Sequence, residues 1–324
     1  MNLLEKYYLQ GKGKLMVGIF VLVVLLIIST IAFTGCFSSG KKSDDKNTVT
    51  VFNYGDYIDV SVLKTFEKET GIKVKYEEYV TPEDMYTKYK SGVINYDVIC
   101  TSDYMVEKMM QEGEAQKIDT SSMEYYKNID EKYLDFCKAF DTTNEYAVPY
   151  LWGTVGILYN TKVIKEKVDS WSILWDKKYD DQIVMQNSMR DAFMVPLKWN
   201  GISLNTTSRK ELKQAQSLLL KQKPIVEAYL VDEARDAMVS GDASMAVIYS
   251  GDATVAMEEN EDLDYVVPKE GSNVWFDCFL IPKTAEHKEA AEKFIDYMNR
   301  KDIAQKNFDY IYYGTPNRAV YDTL

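Results

Sequence analysis

Apolar residues run without a charge from Leu15 to Phe33, nineteen positions, and the pattern then changes character. Residues 48–52 are β-rich, and Val60, Leu63 and Phe66 mark one face of a helix that stops at Gly71. Ile72, Val74 and Tyr76 alternate as a strand. Thr81-Pro82-Glu83-Asp84 opens the next helix, with a threonine cap, proline in the first turn and acids at the positive helix end. Residues 97–100 read as a buried strand, followed by a helix through Met110. Alternating strands and helices predict an α/β domain with a mostly parallel sheet covered on both faces.

A second unit of the same class follows. Residues 146–160 are strand-rich, a candidate crossing between domains. Residues 182–185 form a short strand and 189–199 the helix after it. Helices are expected over 209–222 and over 232–240, the latter ended by Gly241. Residues 245–249 are a buried strand that breaks at Ser250-Gly251-Asp252. Strands over 265–268 and 274–281 and a helix over 288–299 complete the pattern.

The apolar run at the start is preceded by Lys12-Gly13-Lys14 and followed by Thr34-Gly35-Cys36. A basic flank, an apolar core and small residues at a cleavage point make an export signal. A cysteine after Gly35 resembles a bacterial lipoprotein signal, with residues 1–35 removed and Cys36 lipidated. The alternative is an uncleaved transmembrane helix, since nineteen apolar residues can span a bilayer. Phe33 departs from the aliphatic residue usual at that place. Residues 36–47 are small and polar, a tether. Either way the rest of the chain works outside the cytoplasm, held at a membrane.

Removal of residues 1–35 takes away three lysines and one glutamate, so 289 residues remain and the net charge falls from −12 to −14. Such a chain repels nucleic acid and attracts cations. Cys100, Cys137 and Cys278 form no CxxC pair and lie in apolar surroundings, which predicts buried thiols, although one disulfide among them remains open. The single histidine, His287, sits at an expected exposed helix start. No HExxH, GxSxG or Walker sequence occurs, which leaves histidine, zinc or phosphate-cradle catalysis without support.

Ligands in open α/β sheets bind beyond the carboxyl ends of strands. Here those ends pair aromatic residues with carboxylates: Asn53-Tyr54-Gly55-Asp56-Tyr57, Thr101-Ser102-Asp103-Tyr104, Tyr249-Ser250-Gly251-Asp252 and Trp275-Phe276-Asp277. The combination suits an organic cation. A buried ammonium needs carboxylates and acceptors, and ring faces add about 0.5–2 kcal/mol each of cation–π attraction. Glycines beside the acids, Gly55 and Gly251, are expected to let the backbone turn.

These residues, with Phe66-Glu-Lys-Glu-Thr-Gly-Ile-Lys-Val74, Val148-Pro-Tyr-Leu-Trp-Gly153, Pro268-Lys-Glu-Gly271 and Gly314-Thr-Pro-Asn317, carry a resemblance to a known family. From about Val49 to Asn317 the chain resembles the periplasmic or lipid-anchored spermidine/putrescine-binding proteins of polyamine ABC transporters. The resemblance implies a two-lobe, type II periplasmic-binding-protein-like α/β fold with ligand in the interlobe cleft. One lobe would hold 48–153 and 275–324, the other 154–274. It implies capture of putrescine or spermidine for an ABC permease and ATPase, with no cofactor, no resident metal, no nucleic acid partner and no bond made or broken. Implied ligand residues are Tyr54, Asp56, Tyr57, Ser102, Tyr104, Asp191, Tyr249, Asp252, Trp275, Asp277 and Tyr313. The family usually has tryptophan where Tyr54 and Tyr249 stand. Spermidine-preferring members carry an acid at the position of Ser188, whereas putrescine-preferring members resemble this chain at Asp56 and Asp252. Members usually run some tens of residues beyond Thr-Pro-Asn, while this sequence stops at Leu324.

Several positions also admit a structural use. Ser188-Met-Arg-Asp191 satisfies a capping box, and Asp252 can cap a helix. Trp152, Trp171 and Trp175 read as core or hinge packing. Competing functions are a binding protein for iron or for another organic cation such as a thiamine-like one, an extracellular hydrolase using two carboxylates, and a sensor subunit.

Overall fold

The computed structural model describes residues 47–323. The leader over 1–35, Cys36 and nearly all of the tether lie outside the described residues. In chain order the strands are β1 (Thr48–Tyr54), β2 (Lys73–Tyr79), β3 (Val98–Ser102), β4 (Ala115–Gln116), β5 (Ala147–Asn160), β6 (Ile183–Gln186), β7 (Val226–Leu230), β8 (Met245–Tyr249), β9 (Leu263–Val266) and β10 (Val274–Pro282). The helices are α1 (Val60–Thr70), α2 (Pro82–Lys90), α3 (Asp103–Gln111), α4 (Glu131–Cys137), α5 (Met189–Trp199), α6 (Arg209–Gln222), α7 (Glu233–Ser240), α8 (Ser250–Glu259), α9 (Lys288–Met298), α10 (Lys301–Ile311) and α11 (Arg318–Tyr321). Among the described residues no helix is long and apolar enough to cross a membrane.

The strands join in the order β2-β1-β3-β10-β5-β8-β6-β7, with β4 on β10 and β9 on β5. The sheet is mixed rather than mostly parallel. β1 pairs in parallel with β2 and β3, and β6 with β7 and β8, as βαβ units require. The long strands β5 and β10 instead run antiparallel to each other and to β8 and β3. β5 pairs with β10 through its first half and with β8 and β9 through its second, so one continuous strand links the two parallel sets.

Alternation along the strands explains the layers. Val49, Val51, Cys100 and Phe279 face a core closed by Val62 and Phe66 of α1 and Phe294 of α9. Phe52, Ile99, Cys278 and Leu280 face the opposite side, under Met85 of α2 and Met105 and Met109 of α3. Leu158, Val184, Ala246 and Ile248 likewise meet Ala234 and Met238 of α7 and Ala253 and Ala256 of α8. Both faces are thus covered, as successive side chains of opposite direction demand.

Local signals act where they were expected, with some corrections. Asp59 caps α1 by accepting from Ser61 N–H at 2.8 Å, and Gly71 ends it with φ 73°. Its buried residues are Val62 and Phe66, with Leu63 partly buried against the same core, whereas Val60 at the first helical position is 58% exposed. Thr81 accepts from Asp84 N–H at 3.2 Å. Strand β9 begins two residues before the expected segment, and β4, β7, α4, α10 and α11 were not foreseen. Cys100, Cys137 and Cys278 are free and buried. His287 is half-buried rather than exposed, because its ring Nδ1 lies 3.1 Å from the buried Asp97 Oδ2. Trp171 is core, with its indole N–H on Gly271 O at 2.9 Å, and Trp175 stacks on Trp199.

Candidate functional site

The ends of β1, β3 and β8, the start of β10, the first turns of α3, α5 and α8, and the turn after α10 open onto one cleft of about 1880 Å³. All eleven residues singled out in the sequence line it: Tyr54, Asp56, Tyr57, Ser102, Tyr104, Asp191, Tyr249, Asp252, Trp275, Asp277 and Tyr313.

Its deepest acid is Asp277, 5% exposed, on β10 at a bulge between Asp277 and Cys278. In register with Ser102 of β3, Asp277 accepts from Ser102 Oγ at 2.9 Å and from Tyr57 OH at 2.6 Å. Tyr54 OH lies 3.0 Å from Ser102 Oγ and accepts from Ser102 N–H, which ties the β1 and β3 ends together. Burial pushes the Asp277 carboxyl up to about 7, against the hydroxyl donors that favour its ionised form.

Asp191 and Asp252 repeat this arrangement. Ser188, the cap of α5, accepts from Asp191 N–H at 3.4 Å, the first half of the expected capping box. The Asp191 carboxylate also faces the cleft, accepting from Ser188 Oγ at 2.8 Å, Tyr249 OH at 2.8 Å and Asn273 Nδ2 at 3.2 Å. Asp252 caps nothing. Tyr249 stands at the α8 cap position, and Asp252 in the first turn accepts from Tyr313 OH at 2.7 Å. Burial pushes Asp252 up to about 6, with further upward pressure from Asp232 and Asp56 and relief from Tyr313 and Arg235. Burial and the adjoining acids hold the Tyr57, Tyr249 and Tyr313 hydroxyls well above the ordinary phenol range, so they remain donors.

The rings were expected mainly as cation-binding faces; what the structure shows is their hydroxyls donating to the carboxylates. Trp275 is 6% exposed and meets Tyr249 and Tyr313 edge to face, with centroids 5.8 and 5.0 Å away. Its indole N–H has no partner among the described residues. Tyr57 lies 5.7 Å from Tyr313 and 5.2 Å from Tyr54. Tyr104 is already occupied: the Arg190 guanidinium sits 4.4 Å from its ring centre, and its OH donates to Glu83 at 3.0 Å.

Two glycine expectations change. The left-handed turn after β1 falls on Asp56, φ 50°, rather than on Gly55; aspartate tolerates that conformation because its short side chain bonds locally. Gly251 serves close approach instead, since a Cβ there would come within 2.5 Å of Tyr313 Cδ1.

Sequence reasoning missed Arg190, Asn273, Asp232 and Arg235, which also line the cleft, and left Asp103 out of the implied ligand set. Asp103 belongs to the second of the four aromatic–acid pairs and accepts from Tyr104 N–H at 2.6 Å. The others come from helix starts and a loop with no local signal of their own.

With that geometry in view, the comparisons with known proteins are specific. The family model for bacterial extracellular solute-binding proteins matches residues 61–323. A spermidine/putrescine-binding periplasmic protein of Escherichia coli is 38% identical over 285 residues, 87% of this chain and 81% of that protein. A putrescine-binding periplasmic protein of the same organism is 28% identical over 300 residues, 87% and 81% of the two. A Listeria monocytogenes protein described as a spermidine/putrescine ABC transporter has a TM-score of 0.82 at 40% identity, covering 86% of each chain. The spermidine/putrescine ABC transporter substrate-binding protein of Streptococcus pneumoniae gives 0.73 at 37%, covering 86% of this chain and 85% of that one. The chain belongs to the bacterial extracellular solute-binding protein family and has its type II periplasmic-binding-protein fold.

Proposed function

We propose that this protein captures a polyamine in the cleft around Asp277 and delivers it to the permease and ATPase of an ABC transporter. The observation that carries the reading is Asp277 itself: a buried carboxylate whose hydrogen-bond partners among the described residues are neutral hydroxyls, inside walls of tyrosine and tryptophan. Burying such a charge is unfavourable until a cation joins it, and an ammonium supplies the missing charge together with three donors. The eleven residues from Tyr54 to Tyr313 form the ligand set in this reading. Relatives named for spermidine and putrescine at 38% identity support it.

The cleft is larger than the roughly 300–1,000 Å³ usual for a small-molecule site. Capture is therefore read as closure of two lobes, 48–153 with 275–324 and 154–274, around one ligand, each contributing acids and rings. A micromolar affinity corresponds to about −8.2 kcal/mol, within reach of a few charge-assisted hydrogen bonds after ordering costs. The reading includes a lipid on Cys36 that tethers the protein outside the cytoplasm, and it involves no cofactor and no chemical step.

Calorimetric titration of the full chain in detergent micelles tests it, with putrescine and spermidine as ligands and ornithine and thiamine as controls. Saturable one-to-one binding of a polyamine is expected. No heat from either polyamine with a folded protein would reject the reading.

A further inference from the structure

Helix α6 and its C-cap Lys223 hold five basic side chains and one acid, in a chain whose net charge without residues 1–35 is −14. Arg209, Lys210, Lys213, Lys221 and Lys223 are all exposed, and none of them forms an ion pair among the described residues. The 3.6-residue period places Lys210, Lys213, Ser217 and Lys221 in one stripe, with Arg209 and Leu220 beside it. Leu220 is 62% exposed. The buried residues Ala215 and Gln222 lie on the opposite side. The one acid, Glu211, lies off the stripe and accepts from Thr206 Oγ1.

Neither helix stability nor ligand capture explains this stripe. Arg209 and Lys210 occupy the first two positions of α6, where the helix dipole favours acids over cations. Arg209 and Lys213 also line the cleft, together with Leu212 and Gln216. Their charge there opposes the approach of an organic cation. The lysines of α1 and β2 are different: Lys64, Lys68, Lys73 and Lys75 are interleaved with Glu67, Glu69, Glu77 and Glu78. A face of exposed cations without acids is complementary to an anionic surface.

We propose that this face of α6 docks on the anionic phosphate headgroups of the membrane that holds the protein, through Lys210, Lys213 and Lys221, and so sets the cleft beside that membrane. The proposal rests on the membrane-tethered reading above and adds an orientation to it. Lysine binds phosphate as a point charge, and Leu220 in the same face can sit among the headgroups. Attraction between exposed charges fades beyond a Debye length, about 10 Å at 0.1 M salt. The expected tether over residues 36–47 spans at most about 40 Å, which gives the folded part the high local concentration that weak contacts need. The acidic remainder of the chain is repelled by the same surface, so the attraction is directional.

The test holds the full chain in nanodiscs of phosphatidylcholine alone or of equal parts phosphatidylcholine and phosphatidylglycerol. The rate of lysine acylation by a neutral succinimidyl ester is then read residue by residue by mass spectrometry. Lys210, Lys213 and Lys221 should react about threefold or more slowly in the anionic discs, and the difference should vanish at high salt. Lys64 and Lys68 on α1 should react alike in both. The double substitution Lys210→Glu, Lys221→Glu, at positions outside the cleft lining, should abolish the protection of Lys213 and leave putrescine affinity unchanged. Equal rates in the two kinds of disc would overturn the proposal and leave the polyamine reading standing. Slowing of Lys64 and Lys68 to the same extent would also overturn it, as would protection of α6 that needs an added permease and no anionic lipid. Failure of the chain to enter either disc would overturn the tethered reading as well.

Discussion

Tyr57 donates a 2.6 Å hydrogen bond to Asp277, 220 residues further along the chain, and so fixes the deepest carboxylate of the cleft without neutralising it. Tyr249 does the same for Asp191 and Tyr313 for Asp252. Each phenol supplies a directed donor with an apolar body, which keeps an acid oriented in the wall of the cleft.

Removing the charge at the centre should therefore cost affinity more than stability. Asp277→Asn keeps the shape and relieves the burial of a carboxylate. Polyamine affinity should fall at least tenfold while the melting temperature changes little, as titration and thermal unfolding would record. Unchanged affinity in the folded variant would remove Asp277 from the site.

The protonation states set a pH dependence of known sign. Burial raises Asp277 to about 7 and Asp252 and Asp103 to about 6. Between the ordinary carboxylate range and these values, the folded protein keeps protons that the unfolded chain has lost. Stability of the unliganded protein should thus be greatest at the acid end of that window and decline as pH rises through 6–7. Affinity should run the other way, because an ammonium favours ionised Asp277: about tenfold weaker at pH 6 than at pH 8 if one proton is displaced. Melting curves and titrations over pH 5–8 would show both trends, with proton release at binding visible in buffers of different ionisation heat.

Gly251→Ala should break a contact that only glycine permits. The new Cβ would meet the Tyr313 ring at 2.5 Å, within a buried wall, and move the phenol that holds Asp252. A loss of about 1–3 kcal/mol in stability is expected for such overpacking. Weaker polyamine binding should accompany it in titration.

Phe66→Ala gives the contrasting case. Phe66 is fully buried between α1 and α9, edge to face with Phe294 and Tyr297. Denaturant unfolding should show a loss of about 3–5 kcal/mol. Affinity measured well below the unfolding transition should be unchanged, since this side chain lies outside the cleft.

Strand ends, caps and the covered faces were legible because they are local. Thr81 and Ser188 declare helix starts within four residues, and the β-rich run 48–52 and the apolar run 98–100 declare buried strands. Strand β7 escaped because Val226, Ala228 and Tyr229 are only partly buried, so its apolar alternation is weak. The direction of β5 and β10 escaped because a strand's sequence records which faces are buried, not which neighbour it pairs with or how.

The aromatic–acid pairs announced which residues line the cleft and that acids stand among them, and the sequence alone determined that much. Which hydroxyl serves which carboxylate was decided by the tertiary structure. Tyr57 meets Asp277, Tyr249 meets Asp191 and Tyr313 meets Asp252 across separations of 220, 58 and 61 residues. Arg190 on Tyr104 joins helices whose contact no local pattern records. Hydrogen bonds and charge pairs act over a few ångströms of space, and only the folded sheet, by setting the ends of β1, β3 and β8 and the start of β10 around one cleft, brings those groups within that range.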